Sequence, residues 1–264
     1  MNRSGLMIRL LIAGVLALGS LFTYYSNSQV NPVTGQKQHI AISPEQEVAM
    51  GLQSAPQMAA EFGGEYEDPK VQALIQRIGQ GLVNNNEAKN SPYNFEFHVL
   101  KDPETINAFA LPGGQIFITV GLLKRLKSED QIAGVLGHEI GHVIARHSAQ
   151  QMAKQELTSG LMNAAVVAAQ DPNNPGASSA IAQYVGNIIN MKYGREDELE
   201  ADRFGIKYSQ GTGYNPEAMI EVMEILKAAA GNRQQSEMMS SHPYPENRIA
   251  QIRKILEEQK TKNQ

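Results

Sequence analysis

Two histidines four residues apart, with a glutamate directly after the first, constrain this chain more than any other stretch. The segment is Gly137-His138-Glu139-Ile140-Gly141-His142. On a helix, His138 and His142 project from one face, where two ring nitrogens reach one zinc ion at about 2.0–2.1 Å. Glu139 lies one turn before the second histidine, close enough to meet a metal-bound water as general base. By composition alone, His-Glu-x-x-His arises by chance in a chain this long on the order of 1 time in 100. A third ligand is therefore the deciding observation.

The extended form of the motif would place a glycine where this chain has Ala145 and a histidine where it has Ser148. His147 comes one residue too early. On a continuing helix it points roughly opposite His138, so it reads as a basic residue favourable to the helix dipole, as does Arg146. A carboxylate from a later helix is the other way to complete such a site. Glu198 and Asp202 are four apart and share a helix face. Glu198 can ligate while Asp202 accepts the spare ring N–H of a ligand histidine. Ala201 beside them permits close helix packing. The competing reading makes Glu196-Asp197-Glu198 a solvated acidic helix start.

His138-Glu139-x-x-His142 followed some sixty residues later by Glu198-x-x-Ala201-Asp202 resembles the M48 peptidase family, the gluzincins that include CAAX prenyl proteases and bacterial periplasmic quality-control proteases. Asn107-Ala108-Phe109-Ala110-Leu111-Pro112-Gly113-Gly114, Ile116-Phe117-Ile118, Gly121-Leu122-Leu123 and Ser241-His242-Pro243 add to the likeness. Asn31-Pro32-Val33-Thr34-Gly35 is similar to the soluble periplasmic branch. The resemblance implies one zinc per chain and a small gluzincin-like peptidase domain: α+β, mainly helical, with a small sheet and a His-Glu-x-x-His helix. It implies that one strand borders the cleft and pairs with substrate backbone, with Asn107 and Ala108 nearest the substrate. It also places the loop of His242 near the metal. There His242 either donates to the oxyanion or occupies the fourth zinc position as a latch, and the latch is preferred. The bland alternative is a surface histidine in a proline-held turn.

From the N-terminus, Arg3 and Arg9 flank an apolar run from Leu10 to Phe22, followed by Tyr24-Tyr25. Residues 1–30 therefore read as a secretory signal peptide or an uncleaved membrane anchor, with the start of a linker. Residues 31–264 form the peptidase-like domain. Either form of the leader exports that domain to the bacterial periplasm, soluble or tethered, with inner- or outer-membrane association. Net charge is −4 with no basic run, which gives nucleic acid no footprint. Cysteine is absent, which excludes disulfides and thiolate ligands.

Ser43-Pro44 and Asp68-Pro69 begin helices by cap and first-turn proline. Phe95, Phe97 and Val99 alternate with polar residues as a half-buried strand, with His98 structural. Two further strands, Asn107 to Ala110 and Gln115 to Val120, flank a Pro-Gly-Gly turn. Gly121 to Lys127 reads as a short helix. Ser128 caps the motif helix, with Gln131 completing a capping box. Between Leu157 and Met191 the only charged residue is Asp171, and Pro172 to Gly176 breaks the stretch into two helical pieces. They read as core, with a mobile lid or a client-binding surface as alternatives. Asn215-Pro216 and Pro245 to Arg248 start the last helices, and the tail after Leu256 reads as frayed. No repeat is visible, so the tetratricopeptide extension common beside this peptidase domain is not expected.

The reading that joins these features is a zinc metalloendopeptidase acting on misfolded or misassembled envelope proteins. Its rival is a chaperone-like assembly factor with a latent or non-cleaving zinc site.

Overall fold

The computed structural model describes residues 3–169, 193–230, 242 and 247–262. In chain order it contains α1 (Arg3–Ser26), β1 (Ser28–Val30), β2 (Lys37–His39), α2 (Pro44–Glu61), α3 (Pro69–Asn84), a 3-10 turn (Glu87–Asn90), β3 (Glu96–Leu100), β4 (Ala108–Ala110) and β5 (Gln115–Thr119). Then follow α4 (Val120–Leu123), α5 (Glu129–Ile144), α6 (His147–Ala169), α7 (Arg195–Thr212), α8 (Ala218–Ala230) and α9 (Arg248–Lys262). The architecture is the expected mainly helical α+β arrangement with small sheets. Contacts divide the chain into two units: residues 1–31, 35–42 and 149–191, and residues 32–34, 43–148 and 192–264.

In the first unit, β1 and β2 pair antiparallel, Ser28 opposite His39. The His39 ring stacks on Tyr24 at 4.6 Å and meets Tyr25 edge-on at 5.4 Å. Gly160 of α6 abuts Ser20 of α1, where a Cβ would overlap the hydroxyl. Residues Ser4–Ser26 have a mean hydropathy of 2.1, long and apolar enough to cross a membrane. Within residues 157–169, Ala164 is buried while Leu161 is exposed and Met162, Val166 and Val167 are half-buried. The core reading of that segment therefore does not describe its first half. The remainder, with its Pro172–Gly176 break, lies outside the described residues.

In the second unit, local chemistry starts each helix. Ser43 Oγ accepts from Gln46 N while Gln46 Oε1 accepts from Ser43 N, closing a capping box ahead of Pro44. Asp68 Oδ1 accepts from Lys70 N and Val71 N at the start of α3. Ser128 Oγ accepts from Gln131 N, but Gln131 does not return the bond to Ser128. Its buried amide accepts from Lys127 N instead and donates to Glu221 of α8, a tertiary partner that overrides the box. The short helix ends at Leu123, and α9 continues to Lys262, past the point where fraying was expected.

The sheet has the order β3-β5-β4, with β3 parallel and β4 antiparallel to β5. Gly113 and Gly114 turn between β4 and β5 at φ 82° and 106°, which glycine adopts without strain. The outer edge of β3 is closed by amide side chains of α3. Gln72 bonds Phe97 O and Val99 N, Gln76 accepts from Phe97 N, and Gln80 donates to Phe95 O. An edge strand whose ladder groups are satisfied in this way no longer templates pairing. Ile75, Ile78 and Leu82 of α3 pack under the sheet with Phe97, Val99, Ile116 and Ile118, all buried. Burying each such side chain stabilises the fold by about 1.5–3 kcal/mol before chain entropy is counted.

Candidate metal centre

Helix α5 is buried from Gln131 to Ile144, so its two histidines point into protein whichever way they turn. Glycine decides what they meet. A Cβ on Gly137 would lie 3.0 Å from Gly205 Cα, and one on Gly141 would lie 3.1 Å from Ala201 Cα and 2.8 Å from Phe204 Cβ. A Cβ on Gly205 would in turn press on Gly134 O and His138 N at 3.1 and 3.2 Å. Small residues facing one another let α5 and α7 touch backbone to backbone. That contact delivers Glu198 and Asp202 to the histidine face.

His138, His142, Glu198 and His242 each offer a ligand atom, and these atoms lie within 4.8 Å of one another, all buried. His138 Nε2 and His142 Nε2 are 3.1 Å apart. The Glu198 carboxylate lies 3.5 Å from the first and 3.6 Å from the second. His242 Nδ1 approaches Glu198 Oε1 at 3.0 Å and His138 Nε2 at 3.4 Å. Asp202 Oδ1 is 3.0 Å from His138 Nδ1, so that nitrogen donates and the Nε2 lone pair faces the cluster. Glu139 is fully buried, and neither of its oxygens has a hydrogen-bond partner among the described residues; His242 Nε2 lies 3.8 Å from it. Asn107 and Ala108 are both buried and lie beside and on β4, which pairs with β5.

Three residues here escaped the sequence reading. Arg248, buried at the start of α9, forks onto Asp202 at 2.9 and 2.6 Å and reaches Glu198 Oε2 at 3.0 Å. A signal for it existed, since a basic residue in the first turn opposes the helix dipole and calls for an acidic partner. Tyr193 stacks on His142 at 4.4 Å and bonds Ser148 through its hydroxyl at 2.8 Å. His147 is the third, and its placement corrects the helix-dipole reading. Helix α5 ends at Ile144, Arg146 takes a left-handed φ of 58°, and α6 starts afresh at His147. The reversal buries His147 and sets its Nδ1 2.9 Å from His142 Nδ1.

The electrostatics favour a cation. Burial would raise the Glu198 pKa, but His242 and His138 outweigh it and hold the carboxyl well below its usual range. Asp202 is likewise held low against burial, chiefly by Arg248. Burial alone would lower the His138 pKa, yet Asp202 and Glu198 push it up to about 9. Burial, with the neighbouring histidines, lowers that of His142, the form that ligates. Burial raises Glu139, against the pull of His242 and His138. Two carboxylates held low, Glu198 and Asp202, thus face the imidazoles beside Arg248, where a divalent cation competes with protons for the same donors. Imidazole nitrogens with one carboxylate are a donor set that suits zinc.

Comparison with known proteins agrees with this chemistry. The profile of Peptidase family M48 matches residues 69–256, from α3 into α9, and so takes in every residue of the pocket. The chain is 31% identical over 259 residues to a beta-barrel assembly-enhancing protease of Yersinia pestis, covering 94% of this chain and 52% of that protein. It is 34% identical over 196 residues to a putative beta-barrel assembly-enhancing protease of Vibrio cholerae, covering 70% and 39%. It is 27% identical over 259 residues to the mitochondrial metalloendopeptidase OMA1 of Schizosaccharomyces pombe, covering 96% and 74%. The chain thus spans about half or less of the bacterial relatives. Because the matched region holds both donor-bearing helices and the residues that orient them, the chain belongs to peptidase family M48, a family of zinc metallopeptidases.

Proposed function

We propose that this chain is a zinc-dependent endopeptidase that hydrolyses peptide bonds of misfolded or misassembled envelope proteins. His138, His142 and Glu198 hold the ion. The observation that carries the reading is Glu139, buried beside the convergent donors with both oxygens unbonded among the described residues. A structural metal site needs no such carboxylate, because an unpaired buried acid costs stability. Zinc there supplies a Lewis acid that lowers the pKa of water to about 7 and polarises the scissile carbonyl. Glu139 takes the proton from the attacking water and returns it to the leaving amine. Burial raises its pKa, which strengthens it as that base. Asp202 and Arg248 keep His138 and Glu198 aimed. Substrate backbone adds along β4, with Asn107 and Ala108 nearest; β4 is the edge strand opposite β3, whose own edge the glutamines of α3 close.

The envelope assignment rests on two things. The bacterial relatives are named as beta-barrel assembly-enhancing proteases, and α1, with Arg9 on its first turns and Tyr24-Tyr25 at its end, has the form of an export signal or retained anchor. The second reading, a latent site or a chaperone-like factor, is favoured by His242. Its Nδ1 faces the same point as the other donors, where it would hold the fourth position and keep the enzyme quiet.

Casein digestion by the purified chain, with zinc, with chelator and as Glu139→Gln, tests the proposal. Cleavage that needs zinc and Glu139 is expected; zinc-loaded protein that binds casein without cutting it makes the assembly factor the better reading. His242→Ala separates the two roles of that residue. Faster basal cleavage marks a latch, and a fall of about 10²–10³ at unchanged zinc content marks an oxyanion donor.

A further inference from the structure

We infer that His147 is a positioning residue for His142, accepting the Nδ1–H of that ring and passing the orientation on to Glu200. The inference rests on the assignment of His142 as a zinc ligand.

On an unbroken helix, residues five apart point about 140° away from each other. His142 and His147 meet only because the chain reverses at Arg146, whose left-handed backbone costs about 1–3 kcal/mol. That conformation is held in place. Arg146 Nε donates to Glu47 Oε2 at 2.9 Å, and Tyr93 donates to the same oxygen at 2.6 Å, all three side chains being buried. The turn is thus fixed from α2, a helix outside the stretch that matches the family profile.

The meeting of two ring nitrogens at 2.9 Å allows a hydrogen bond only if one carries the proton and the other does not. The next contact selects between the two arrangements. His147 Nε2 is 3.4 Å from Glu200 Oε2 and 3.9 Å from Asp197 Oδ1. The Glu200 carboxylate accepts, with the Asp197 charge close behind it, so His147 commits its Nε2–H to Glu200 and offers Nδ1 as acceptor. His142 must then donate from Nδ1, which leaves its Nε2 lone pair facing His138 Nε2 and Glu198, the orientation a ligand needs. Tyr193 stacked on the ring face at 4.4 Å blocks the alternative of rotating it. The two histidines of α5 therefore have matched supports of different kinds: Asp202 and Arg248 behind His138, His147 and Glu200 behind His142. Partners of this sort raise ligand basicity, and their loss typically costs 10–100-fold in metal affinity.

The test uses the full chain loaded with zinc. Long-range proton–nitrogen correlation spectra read the tautomer of each histidine in the wild type. His142 protonated at Nδ1 and His147 at Nε2 are expected, and the opposite pair overturns the inference whether or not any variant folds. Zinc affinity by chelator competition and the visible spectrum of the cobalt-loaded protein then read the consequence. His147→Phe keeps the bulk and removes the acceptor, so it should weaken zinc by about 10–100-fold and shift the cobalt bands. His147→Asn returns an acceptor oxygen near the same place and should recover most of that loss. Equal loss in both variants reduces His147 to packing and overturns the inference, as does wild-type affinity in a folded His147→Phe. His142→Ala is the control: retained zinc there would sink the ligand assignment itself, while lost zinc there with intact His147 variants sinks only this inference.

Discussion

Two clusters of buried charge border the end of α5, and they are built on opposite plans. Beyond the helix end, Glu47 draws Arg146 and Tyr93 onto one carboxylate: a guanidinium at 2.9 Å and a hydroxyl at 2.6 Å. Within the helix face, Glu198 and Asp202 share one guanidinium, Arg248, and among the described residues both oxygens of Glu139 accept nothing. The first cluster is electrically complete and holds a backbone reversal. The second leaves Glu139 without a hydrogen-bond partner among the described residues and holds imidazole nitrogens aimed at one point. A buried carboxyl without a partner is costly enough to argue for a role other than stability. A buried ion pair by itself would not have distinguished structure from chemistry; its completeness does.

The sharpest way to break the comparison is to remove one charge from each cluster. Glu139→Gln should lower casein cleavage by about 10²–10⁴ while zinc content by atomic absorption stays stoichiometric. Wild-type rates in that variant would end the catalytic role. Arg146→Met should do the reverse. It leaves Glu47 buried without its partner, at a cost of about 3–5 kcal/mol in urea unfolding. Replacing Glu47 and Arg146 together by Leu and Met should restore much of that stability; a double variant as unstable as the single one would show that the pair is not a self-contained unit.

Gly141→Ala sharpens the contrast at the pocket. The new methyl meets Ala201 and Phe204, and prising α7 from α5 should cost about 1–3 kcal/mol. Zinc affinity should fall with it, because Glu198 and Asp202 ride on the displaced helix. Unchanged affinity would mean that the carboxylates are aimed by something other than the crossing. For the ligand choice, Glu198→Ala should lose zinc far more completely than Glu200→Ala, whose carboxylate reaches the cluster through His147. Equal zinc retention in the two would remove Glu198 from the site.

The smallest effect is a pH slope at the other cluster. Burial raises the Glu47 pKa above its ordinary 4.5, against the opposing pull of Tyr93 and Arg146. Between that value and the raised one, the folded protein holds more protons than the unfolded chain. Stability from this group is therefore full below 4.5 and declines as pH rises through the raised value. Glu47→Gln should flatten that decline in unfolding curves collected across the window. An unchanged slope would assign it elsewhere.

What could be read along the chain was whatever depends on neighbours a few residues away. Ser43-Pro44, Asp68-Pro69 and Ser128 announced helix starts because caps act within one turn. Gly113-Gly114 announced the turn between β4 and β5. His138 and His142 announced a shared face because helical spacing is local geometry, and Glu198-x-x-Ala201-Asp202 carried the same information for the partner helix. Gln131 was misread because Glu221, ninety residues away, competes for its amide. Arg248 looked like an ordinary helix start, and nothing local marks Gln72, Gln76 and Gln80 as partners of β3, twenty or so residues later.

The order of residues alone carries the chemistry on offer: two histidines and a glutamate on one helix, two carboxylates on another, and glycine and alanine where those helices meet. Only the tertiary structure decided how that chemistry is held. A single left-handed residue, Arg146, breaks the helical period that would have turned His147 away, and its conformation depends on Glu47, ninety-nine positions earlier. Local spacing says which side chains can face one way. Whether a buried proton sits on one nitrogen or its neighbour depends on a chain of partners that packing alone assembles.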